Sequence, residues 1–567
     1  MLTELAYVVL LLGTLLILAA PTGRYIAKVF SGEQTMLSPL IQPIERRLYR
    51  MSGVDENREM SWKTYASAFL IINLLGIFAV FLLQELQGLL PFNPEGLGPV
   101  RWDTALNTAV SFTTNTNWQS YSGEQTLTYL TQMLGLTVQN FLSAAVGLAV
   151  AMAVIRGFTR KNANEIGNFW VDLTKAVLYL LLPLAIIWAL IFASQGVVQT
   201  LGPYVISHGL EGAEQVIALG PTASQDAIKF LGTNGGGFFN ANSAHPFENP
   251  TPLTDFLQVL GMLLIPASLP FAFGSMIKNH PQGRAIFASM LVLYIMGLGV
   301  GLWTETSGNP LLEKLGVAGG INMEGKETRF GIVPSLLFAQ STTVTSCGGV
   351  DSMHDSLMPL SGLVLLFNMA IGEVIFGGVG VGLIGIFFYA IMTMFLAGLM
   401  IGRTPELFGK KLEPFEMIMA VVGLLAPSVM LLVLAATAIV LPLGLSSLNN
   451  AGPHGLSEIL YAFASACGNN GSAFAGLNAN TVFYNLATAL GMLVGRFATI
   501  LPALALAGSL AQKRIVPAST ATLPAASPLF VIMLVGTVVI VGALTFFPVF
   551  VLGPILEHLL MQAGRTF

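Results

Sequence analysis

Charged residues are scarce in this sequence for its length. Only 10% of the 567 residues are Asp, Glu, Lys or Arg, whereas soluble globular proteins average about 25%. With 54% hydrophobic residues and a mean hydropathy of +0.74, the chain is too apolar for a soluble protein. The sequence therefore predicts a polytopic membrane protein, and its net charge of −4 provides no basic face for nucleic acid.

Nucleotide-binding motifs and disulfide frameworks are also missing. The sequence has neither the phosphate-binding pattern Gly-x-x-x-x-Gly-Lys-[Ser/Thr] nor an Asp-Lys-Thr-Gly-Thr phosphorylation site. We therefore expect any ATP chemistry to lie on another subunit, and we expect no organic cofactor on this chain. The two cysteines, Cys347 and Cys467, lie in glycine-rich loops, where a disulfide is conceivable but free thiols are favoured.

Apolar runs of about twenty residues, the length that crosses a bilayer, occur ten times. They lie near 4–22, 65–87, 128–155, 172–194, 255–277, 285–303, 360–400, 416–444, 482–511 and 527–556. The run 360–400 is long enough to be broken, and the glycines between Gly377 and Gly382 predict the break. Most of the 25 lysines and arginines lie in alternate connections, which predicts that these are cytoplasmic and that both termini are external.

The four opposite connections share one pattern, a half-length amphipathic helix followed by a loop rich in Gly, Asn, Thr or Ser. The loops contain Ser111-Phe-Thr-Thr-Asn-Thr-Asn-Trp118, Gly232-Thr-Asn-Gly-Gly-Gly237, Thr342-Thr-Val-Thr-Ser-Cys-Gly-Gly349 and Ala466-Cys-Gly-Asn-Asn-Gly-Ser472. We expect Asp103, Ser224 and Ser457 to cap three of the short helices, and Pro334 to begin the third one.

The loops recur at a nearly regular period. If Asn117, Gly235, Gly348 and Asn470 are equivalent, their separations are 118, 113 and 122 residues. The predicted fold is therefore all-α, with four pseudo-fourfold repeats of helix, pore loop and helix, plus one extra helix at each end. The predicted segments are 1–64 (first helix and linker), 65–155, 156–277, 278–402 (with the broken helix), 403–511 and 512–567 (last helix).

Four such loops around one axis are typical of an ion filter. Irregular backbone is tolerated at membrane depth only where it is buried in protein or lines a watery cavity. The loop segments carry neither Asp nor Glu, so their ligands are carbonyls, hydroxyls and amides, whereas divalent-ion sites normally use carboxylates. Neutral oxygens favour a monovalent cation, and potassium is among the least costly to dehydrate. Tight turns, or the broken helices of a secondary carrier, are the alternatives.

The loops also resemble a known family. The segments Thr-Asn-Thr-Asn-Trp-Gln-Ser-Tyr at 114–121, Gly-Thr-Asn-Gly-Gly-Gly-Phe-Phe-Asn-Ala-Asn-Ser-Ala-His-Pro at 232–246, Cys-Gly-Gly-Val-Asp-Ser-Met-His-Asp-Ser-Leu-Met-Pro at 347–359 and Gly-Asn-Asn-Gly-Ser-Ala-Phe-Ala-Gly at 468–476 resemble the potassium-binding A subunit of the bacterial Kdp potassium-transporting ATPase. The resemblance covers essentially the whole chain. That family is related to the Trk, Ktr and HKT transporters.

The resemblance implies a role and partners. It implies a channel-like subunit of the bacterial inner membrane that takes potassium from outside and passes it to a P-type ATPase subunit, which holds the ATP. A single-span, periplasmic-facing subunit, a small single-helix subunit and lipids are the other implied partners. A free-standing potassium channel or cation-coupled cotransporter of the Trk or Ktr type is the alternative, and a carrier for a small organic solute is a third.

The candidate site residues fall into two groups. The expected potassium ligands are Thr114, Asn115, Thr116, Asn117, Gln119, Gly232, Thr233, Asn234, Gly235, Thr345, Ser346, Cys347, Gly348, Gly468, Asn469, Asn470 and Gly471. The coupling or gating candidates are Glu373, Gly377, Gly378, Arg403 and Arg496. Among these, Gln119 and Arg403 match family positions for ion binding and gating, and Glu373 and Arg496 are charges inside apolar spans.

Overall fold

Ten long apolar helices form the body of the molecule. A computed structural model of the chain describes residues 2–372, 374–402, 405–515 and 524–565. In this part of the chain, ten helices have the length and hydropathy needed to cross a membrane, which confirms the ten predicted spans. The first helix, α1 (Leu2–Phe30), is followed by the short amphipathic helix α2 (Ser38–Ser52).

The first two repeats have the same order, an outer membrane helix, a short helix that we call a pore helix, a loop and an inner membrane helix. Their helices are α3 (Trp62–Leu86), α4 (Trp102–Thr113), α5 (Gly123–Thr126), α6 (Val138–Thr159), α7 (Phe169–Lys175), α8 (Leu182–Ser194), α9 (Thr222–Leu231) and α10 (Pro252–Met276). Two π-helical stretches, Thr131–Thr137 before α6 and Ala176–Leu181 before α8, complete the membrane-crossing length.

The third and fourth repeats and the end of the chain follow the same plan, with one broken inner helix. Their helices are α11 (His280–Thr306), α12 (Pro310–Lys314), α13 (Ile332–Val344), α14 (Pro359–Ala370), α15 (Val381–Ile401), α16 (Pro414–Val440), α17 (Pro442–Leu445), α18 (Gly452–Gly468), α19 (Val482–Gln512), α20 (Pro528–Phe550) and α21 (Leu556–Gln562). The pore helices are therefore α4, α9, α13 and α18. The last span combines α20, a π-helical stretch at Val551–Ile555 and α21.

The predicted break in the 360–400 run is confirmed, although its position differs from the prediction. Helix α14 ends at Ala370 and α15 begins at Val381, so the break starts before the first glycine of the predicted segment. Gly382 lies inside α15 and not in the break, because Gly380, at φ 88°, already completes the turn that starts the helix. The break thus separates the 12-residue helix α14 from the 21-residue helix α15.

Strands are short and lie in the connections between helices. In the described residues they form three two-stranded antiparallel pairs: β1 (Met60–Ser61) with β2 (Glu165–Gly167), β3 (Val205–His208) with β4 (Glu214–Ile217), and β5 (Glu406–Leu407) with β6 (Lys410–Lys411). The β3–β4 hairpin lies on the side of the membrane where the pore helices begin. The other two pairs lie in connections on the opposite side.

The pore helices begin earlier than the sequence predicted, and the expected N-caps are wrong. Asp103 is already inside α4, where its carboxylate is engaged by Arg101 and by Asn485 at 2.9 Å. Ser224 is inside α9, and its amide donates 3.0 Å to the Gln199 side chain. Remote side chains of this kind are not visible in local sequence patterns. Likewise Ser457 and Pro334 are interior residues of α18 and α13.

The inner helix of each repeat is the more buried one. We compare the buried share of the most apolar 18-residue stretch of each span, from the first repeat to the fourth. It is 83%, 83%, 72% and 61% in the inner helices, against 33%, 39%, 50% and 28% in the outer helices. Small residues permit this close packing. A Cβ on Gly147 of α6 would lie 2.2 Å from the Val379 carbonyl oxygen, and one on Gly157 would lie 2.8 Å from Ala507. The inner helices therefore surround the centre of the molecule, where the loops meet.

Candidate ion filter

All four pore helices end in the same backbone motif. A residue with positive φ follows each helix, directly after α18 at Asn469 (58°) and one residue later after the other three at Asn115 (68°), Thr233 (47°) and Ser346 (51°). The next amide donates to the carbonyl five residues back, in the pairs Thr116–Ser111 (2.9 Å), Asn234–Lys229 (2.7 Å), Cys347–Thr342 (3.1 Å) and Asn470–Ser465 (2.9 Å). This is the Schellman arrangement, which usually places glycine at the left-handed position.

The absence of glycine at this position is informative. A residue with a side chain in the left-handed region costs about 1–3 kcal/mol and persists only where the surroundings impose it. Here the side chains join neighbouring loops: Asn115 Nδ2 donates 2.8 Å to the Thr233 carbonyl, and Asn469 Nδ2 donates 2.9 Å to Thr116 Oγ1. The strain therefore occurs where the loops are held against each other.

A second left-handed residue follows two positions later in each loop. These residues are Asn117 (φ 56°), Gly235 (72°), Gly348 (80°) and Gly471 (107°). The equivalence assumed from the sequence is thus correct for three loops and wrong for the fourth, where Gly471 takes the place assigned to Asn470. Matching the four loop sequences to one another placed Asn470 opposite Asn117. The backbone conformation instead places Gly471 opposite Asn117, Gly235 and Gly348.

The loops form a closed ring, each one against the next. A Cβ on Gly235 would lie 1.9 Å from the Cys347 carbonyl oxygen. In the same way Gly348 would meet the Asn470 oxygen at 2.1 Å, and Gly471 would meet the Thr116 oxygen at 2.1 Å. The first loop contacts the second through Asn117 Nδ2, which donates 3.2 Å to the Gly235 carbonyl. The glycines therefore allow the backbones of adjacent loops to touch.

Four equivalent carbonyl oxygens in this ring lack protein donors. In the described part of the chain, no hydrogen bond reaches the carbonyls of Thr116, Asn234, Cys347 and Asn470. Each follows the C-terminus of a pore helix, the partially negative end of its dipole. Buried carbonyls without donors, surrounded by negative helix ends and free of carboxylates, constitute an environment suited to a dehydrated monovalent cation.

Several predicted loop residues also make hydrogen bonds that support the ring, and their role as potassium ligands stays a prediction. Gln119 Oε1 accepts a hydrogen bond from the Gly237 amide at 2.8 Å, which joins the first loop to the second. Thr114 and Thr116 share a 2.8 Å hydroxyl contact, and the Thr345 hydroxyl turns back to the Ser341 carbonyl at 2.7 Å. Gly232 and Gly468 lie at helix ends. Cys347 and Cys467 are buried free thiols, as favoured from the sequence.

Below the ring lies a cavity of about 40 Å³. Three of the four left-handed residues that end the pore helices line it, namely Asn115, Ser346 and Asn469. Arg496 also lines it and is 4% exposed; its guanidinium donates 2.7 Å to the Ser143 carbonyl. Ser143 Oγ in turn donates 2.7 Å to Asn115 Oδ1, so the arginine is connected to the first loop.

The break between α14 and α15 is fastened to the ring. The Gly377 amide donates 2.8 Å to the Val344 carbonyl at the end of the third pore helix, and the Val379 amide donates 2.9 Å to Thr233 Oγ1. Gly378 lines the cavity beside Ser346. The other two coupling candidates, Glu373 and Arg403, lie outside the described residues.

Sequence reasoning missed a buried charged cluster behind the second loop. Lys229 of α9 is fully buried, and its ammonium lies 2.7 Å from Glu248 and 3.1 Å from Asp226. The same ammonium donates 3.0 Å to Asn242 Oδ1, and Glu248 Oε1 accepts the Phe239 amide at 2.9 Å. This cluster fixes both ends of the glycine run. The sequence does contain one signal for this cluster, which is the presence of a lysine inside a short helix that must enter the membrane.

Fold and site together define a pore-loop membrane transporter with four repeats. The chain belongs to the potassium-transporting ATPase A subunit family, whose sequence profile matches residues 9–559. The "Potassium-transporting ATPase potassium-binding subunit" of Mesorhizobium japonicum is 55% identical over 555 residues, covering 98% of both chains. The subunit of the same name from Methylorubrum extorquens is 56% identical over 552 residues, covering 97% of this chain and 96% of the relative.

The overall fold is similar to that of solved structures, of which one serves as an example. It is described as the crystal structure of the potassium transporter TrkH from Vibrio parahaemolyticus. The TM-score is 0.52 at 16% sequence identity, and the match covers 85% of this chain and 97% of that one. At this identity the likeness concerns the fold alone, and it is consistent with an all-helical membrane protein.

Proposed function

We propose that this chain is the potassium-selecting subunit of an ATP-driven uptake complex. Potassium enters from the side where the pore helices begin and binds at the ring. The observation that carries the proposal is the set of four equivalent buried carbonyls without protein donors, at Thr116, Asn234, Cys347 and Asn470. The names of the relatives, which describe a potassium-binding subunit of an ATPase, support it.

Potassium then leaves the ring toward a partner subunit instead of crossing directly. The Arg496 guanidinium in the cavity below the ring repels a cation on the straight path. The break at Gly377 and Gly378 lies beside the same cavity, and Glu373 belongs to that connection. In this proposal Glu373, Gly377 and Gly378 mark the lateral exit, and Arg403 is a gating candidate on the cytoplasmic side.

The proposed partners supply what this chain lacks. A P-type ATPase subunit binds and hydrolyses ATP, and a single-span periplasmic-facing subunit and a small single-helix subunit complete the assembly. Potassium is the substrate of the complex and not a resident cofactor. The complex lies in the bacterial inner membrane, with both termini of this chain external.

The test is potassium-stimulated ATP hydrolysis by the assembled complex carrying Gly348→Ala. The new Cβ would lie 2.1 Å from the Asn470 carbonyl oxygen on a backbone with φ 80°. Strain of about 1–3 kcal/mol corresponds to potassium binding weakened by about 5- to 150-fold. We expect half-maximal stimulation at a correspondingly higher potassium concentration, with poorer discrimination against sodium and rubidium.

The matched control is Gly299→Ala, in helix α11. A Cβ there meets no atom within 4 Å, and its φ is ordinary. We expect wild-type potassium dependence for this variant. If Gly348→Ala has the same potassium dependence and selectivity as the control, the ring is not the selecting site.

A free-standing potassium channel or cation-coupled cotransporter is the second candidate, because the fold matches that of TrkH. The two functions differ in their energy source. Potassium uptake into cells through this chain should stop when the partner ATPase cannot hydrolyse ATP. Uptake that continues under those conditions, and that follows the membrane potential, would favour the second candidate.

A further inference from the structure

A cluster of acidic side chains and one imidazole lies at the end of the molecule where the pore helices begin, apart from the ring. His454 is in the first turn of α18, and Glu458 lies one turn later on the same face. His454 Nε2 is 3.0 Å from Asp355 Oδ1, and its Nδ1 is 2.8 Å from Glu557 Oε1 of α21. One ligand atom from each of Asp355, His454 and Glu458 can be chosen so that all lie within 4.8 Å of one another.

We propose that Asp355, His454 and Glu458 form a binding site for a divalent transition-metal cation of the zinc class. One imidazole nitrogen and two carboxylate oxygens are a ligand set that zinc accepts, with water in the fourth position. A mixed nitrogen and oxygen set favours zinc over magnesium or calcium, which prefer oxygen ligands alone.

Glu557 acts as a positioning residue in this site. Metal-bound histidines generally donate their other ring N–H to a carboxylate, which fixes the tautomer and the ring orientation. The contact between His454 Nδ1 and Glu557 has this geometry and leaves Nε2 facing Asp355. Metal binding at Nε2 displaces the proton that Nε2 and Asp355 Oδ1 share across their 3.0 Å contact.

Glu458 provides an independent reason to expect a cation. The side chain is 0% exposed, and its Oε2 has no hydrogen-bond partner in the described part of the chain. Its other oxygen accepts 2.6 Å from Asn450 Nδ2. An unpaired buried carboxylate is costly, and a bound cation removes the cost. A Cβ at Gly476 would lie 1.9 Å from Glu458 Oε1 and 2.8 Å from Asp355 Oδ2, so glycine leaves room for the two carboxylates.

The site has an access route from solvent. A cleft of about 320 Å³ is lined by Asp355, His454 and Glu557 together with Glu324 and Asn450. A hydrated cation can reach Asp355 and His454 through this cleft, and Glu458 is buried one helical turn beyond His454. The ligands come from the segment after the third pore loop and from the fourth pore helix, and Glu557 comes from the last helix, so occupancy would join three parts of the chain outside the ring.

The test is zinc binding to the purified, chelator-treated protein in excess magnesium, measured by equilibrium dialysis. We expect one zinc equivalent per chain, lost in His454→Gln and in Glu458→Gln. Glu557→Gln should retain the site with affinity reduced by about 10- to 100-fold. His208→Gln, which changes an exposed histidine of the β3–β4 hairpin, is the matched control and should bind zinc as wild type does.

A second measurement covers variants that fold poorly. Zinc should raise the unfolding temperature of the wild type and of His208→Gln, but not that of Glu458→Gln. Absence of a stoichiometric site in the wild type would overturn the proposal. Retention of the site in His454→Gln or in Glu458→Gln would overturn it as well, because the metal would then be bound elsewhere.

Discussion

At the scale of single residues, the structure places strained backbone at the ends of the four pore helices. Asn115 shows how such a residue is held. Its Oδ1 accepts hydrogen bonds from Ser143 Oγ at 2.7 Å and from Asn234 Nδ2 at 2.6 Å, while its Nδ2 donates to the Thr233 carbonyl. One amide side chain thus connects the first loop, the second loop and an inner helix. The left-handed conformation is maintained by these bonds.

Asn115→Ala should therefore lower the free energy of unfolding by about 1–3 kcal/mol, the cost of leaving buried polar partners unsatisfied. The measurement is thermal unfolding of the purified protein in detergent. Asn162→Ala is the control, because Asn162 is also left-handed (φ 52°) but exposed. Equal losses in the two variants would mean that backbone conformation, and not the hydrogen-bond network, accounts for the effect.

At the scale of elements, pore helix α9 depends on the charged cluster at Lys229. Removing one partner from a buried ion pair costs about 3–5 kcal/mol, because a charge remains buried and unpaired. Lys229→Met should therefore strongly lower the unfolding temperature and the protein yield. The matched change Lys411→Met affects a half-exposed lysine 3.8 Å from Glu413, where about 0–1 kcal/mol is expected. Similar effects at the two sites would contradict the assigned role of the cluster.

The packing of α1 against α10 gives a second prediction at this scale. A Cβ on Gly23 would lie 2.4 Å from the Ser268 carbonyl oxygen, whereas one on Gly13 of the same helix would meet no atom within 4 Å. Overpacking typically costs about 1–3 kcal/mol. Gly23→Ala should therefore lower the unfolding temperature and Gly13→Ala should not. If both variants unfold like the wild type, α1 does not pack as closely as described.

The elements also show which features the sequence could predict. Length and hydropathy predicted ten spans, and the four glycine- and asparagine-rich loops predicted the ring, because both signals are local. The start of α9 was missed because the Ser224 amide donates its hydrogen bond to the side chain of Gln199, which lies 25 residues earlier in the chain. Ser224 therefore does not need to be the N-cap. The register of the fourth loop was missed because Asn470 and Gly471 are adjacent and both suit a turn, and they are distinguished by the left-handed backbone of Gly471 and by its contact with Thr116. Boundaries between the repeats stay a prediction.

At the scale of the whole molecule, the ring and the cavity below it have opposite electrostatic character. Helix C-termini and carbonyls favour a cation in the ring, while Arg496 disfavours one in the cavity on the other side. A cation bound in the ring thus has a favourable site next to an unfavourable straight exit. In the proposed function this arrangement supplies ions to a partner subunit, and the direction of supply depends on which side of the membrane the pore helices face.

Cysteine labelling in intact cells can determine that direction. Both native cysteines are buried, so they should not react with a membrane-impermeant maleimide, and single cysteines can be introduced into the wild-type chain. Glu211→Cys lies in the exposed β3–β4 hairpin, in the connection that leads into pore helix α9, and Ser52→Cys lies at the exposed end of α2. Because α2 carries Arg46, Arg47 and Arg50, the positive-inside rule assigns it to the cytoplasm.

We expect Glu211→Cys to be labelled in intact cells and Ser52→Cys only after permeabilisation. Labelling of Ser52→Cys in intact cells would reverse the orientation, and the ring would then receive ions from the cytoplasm.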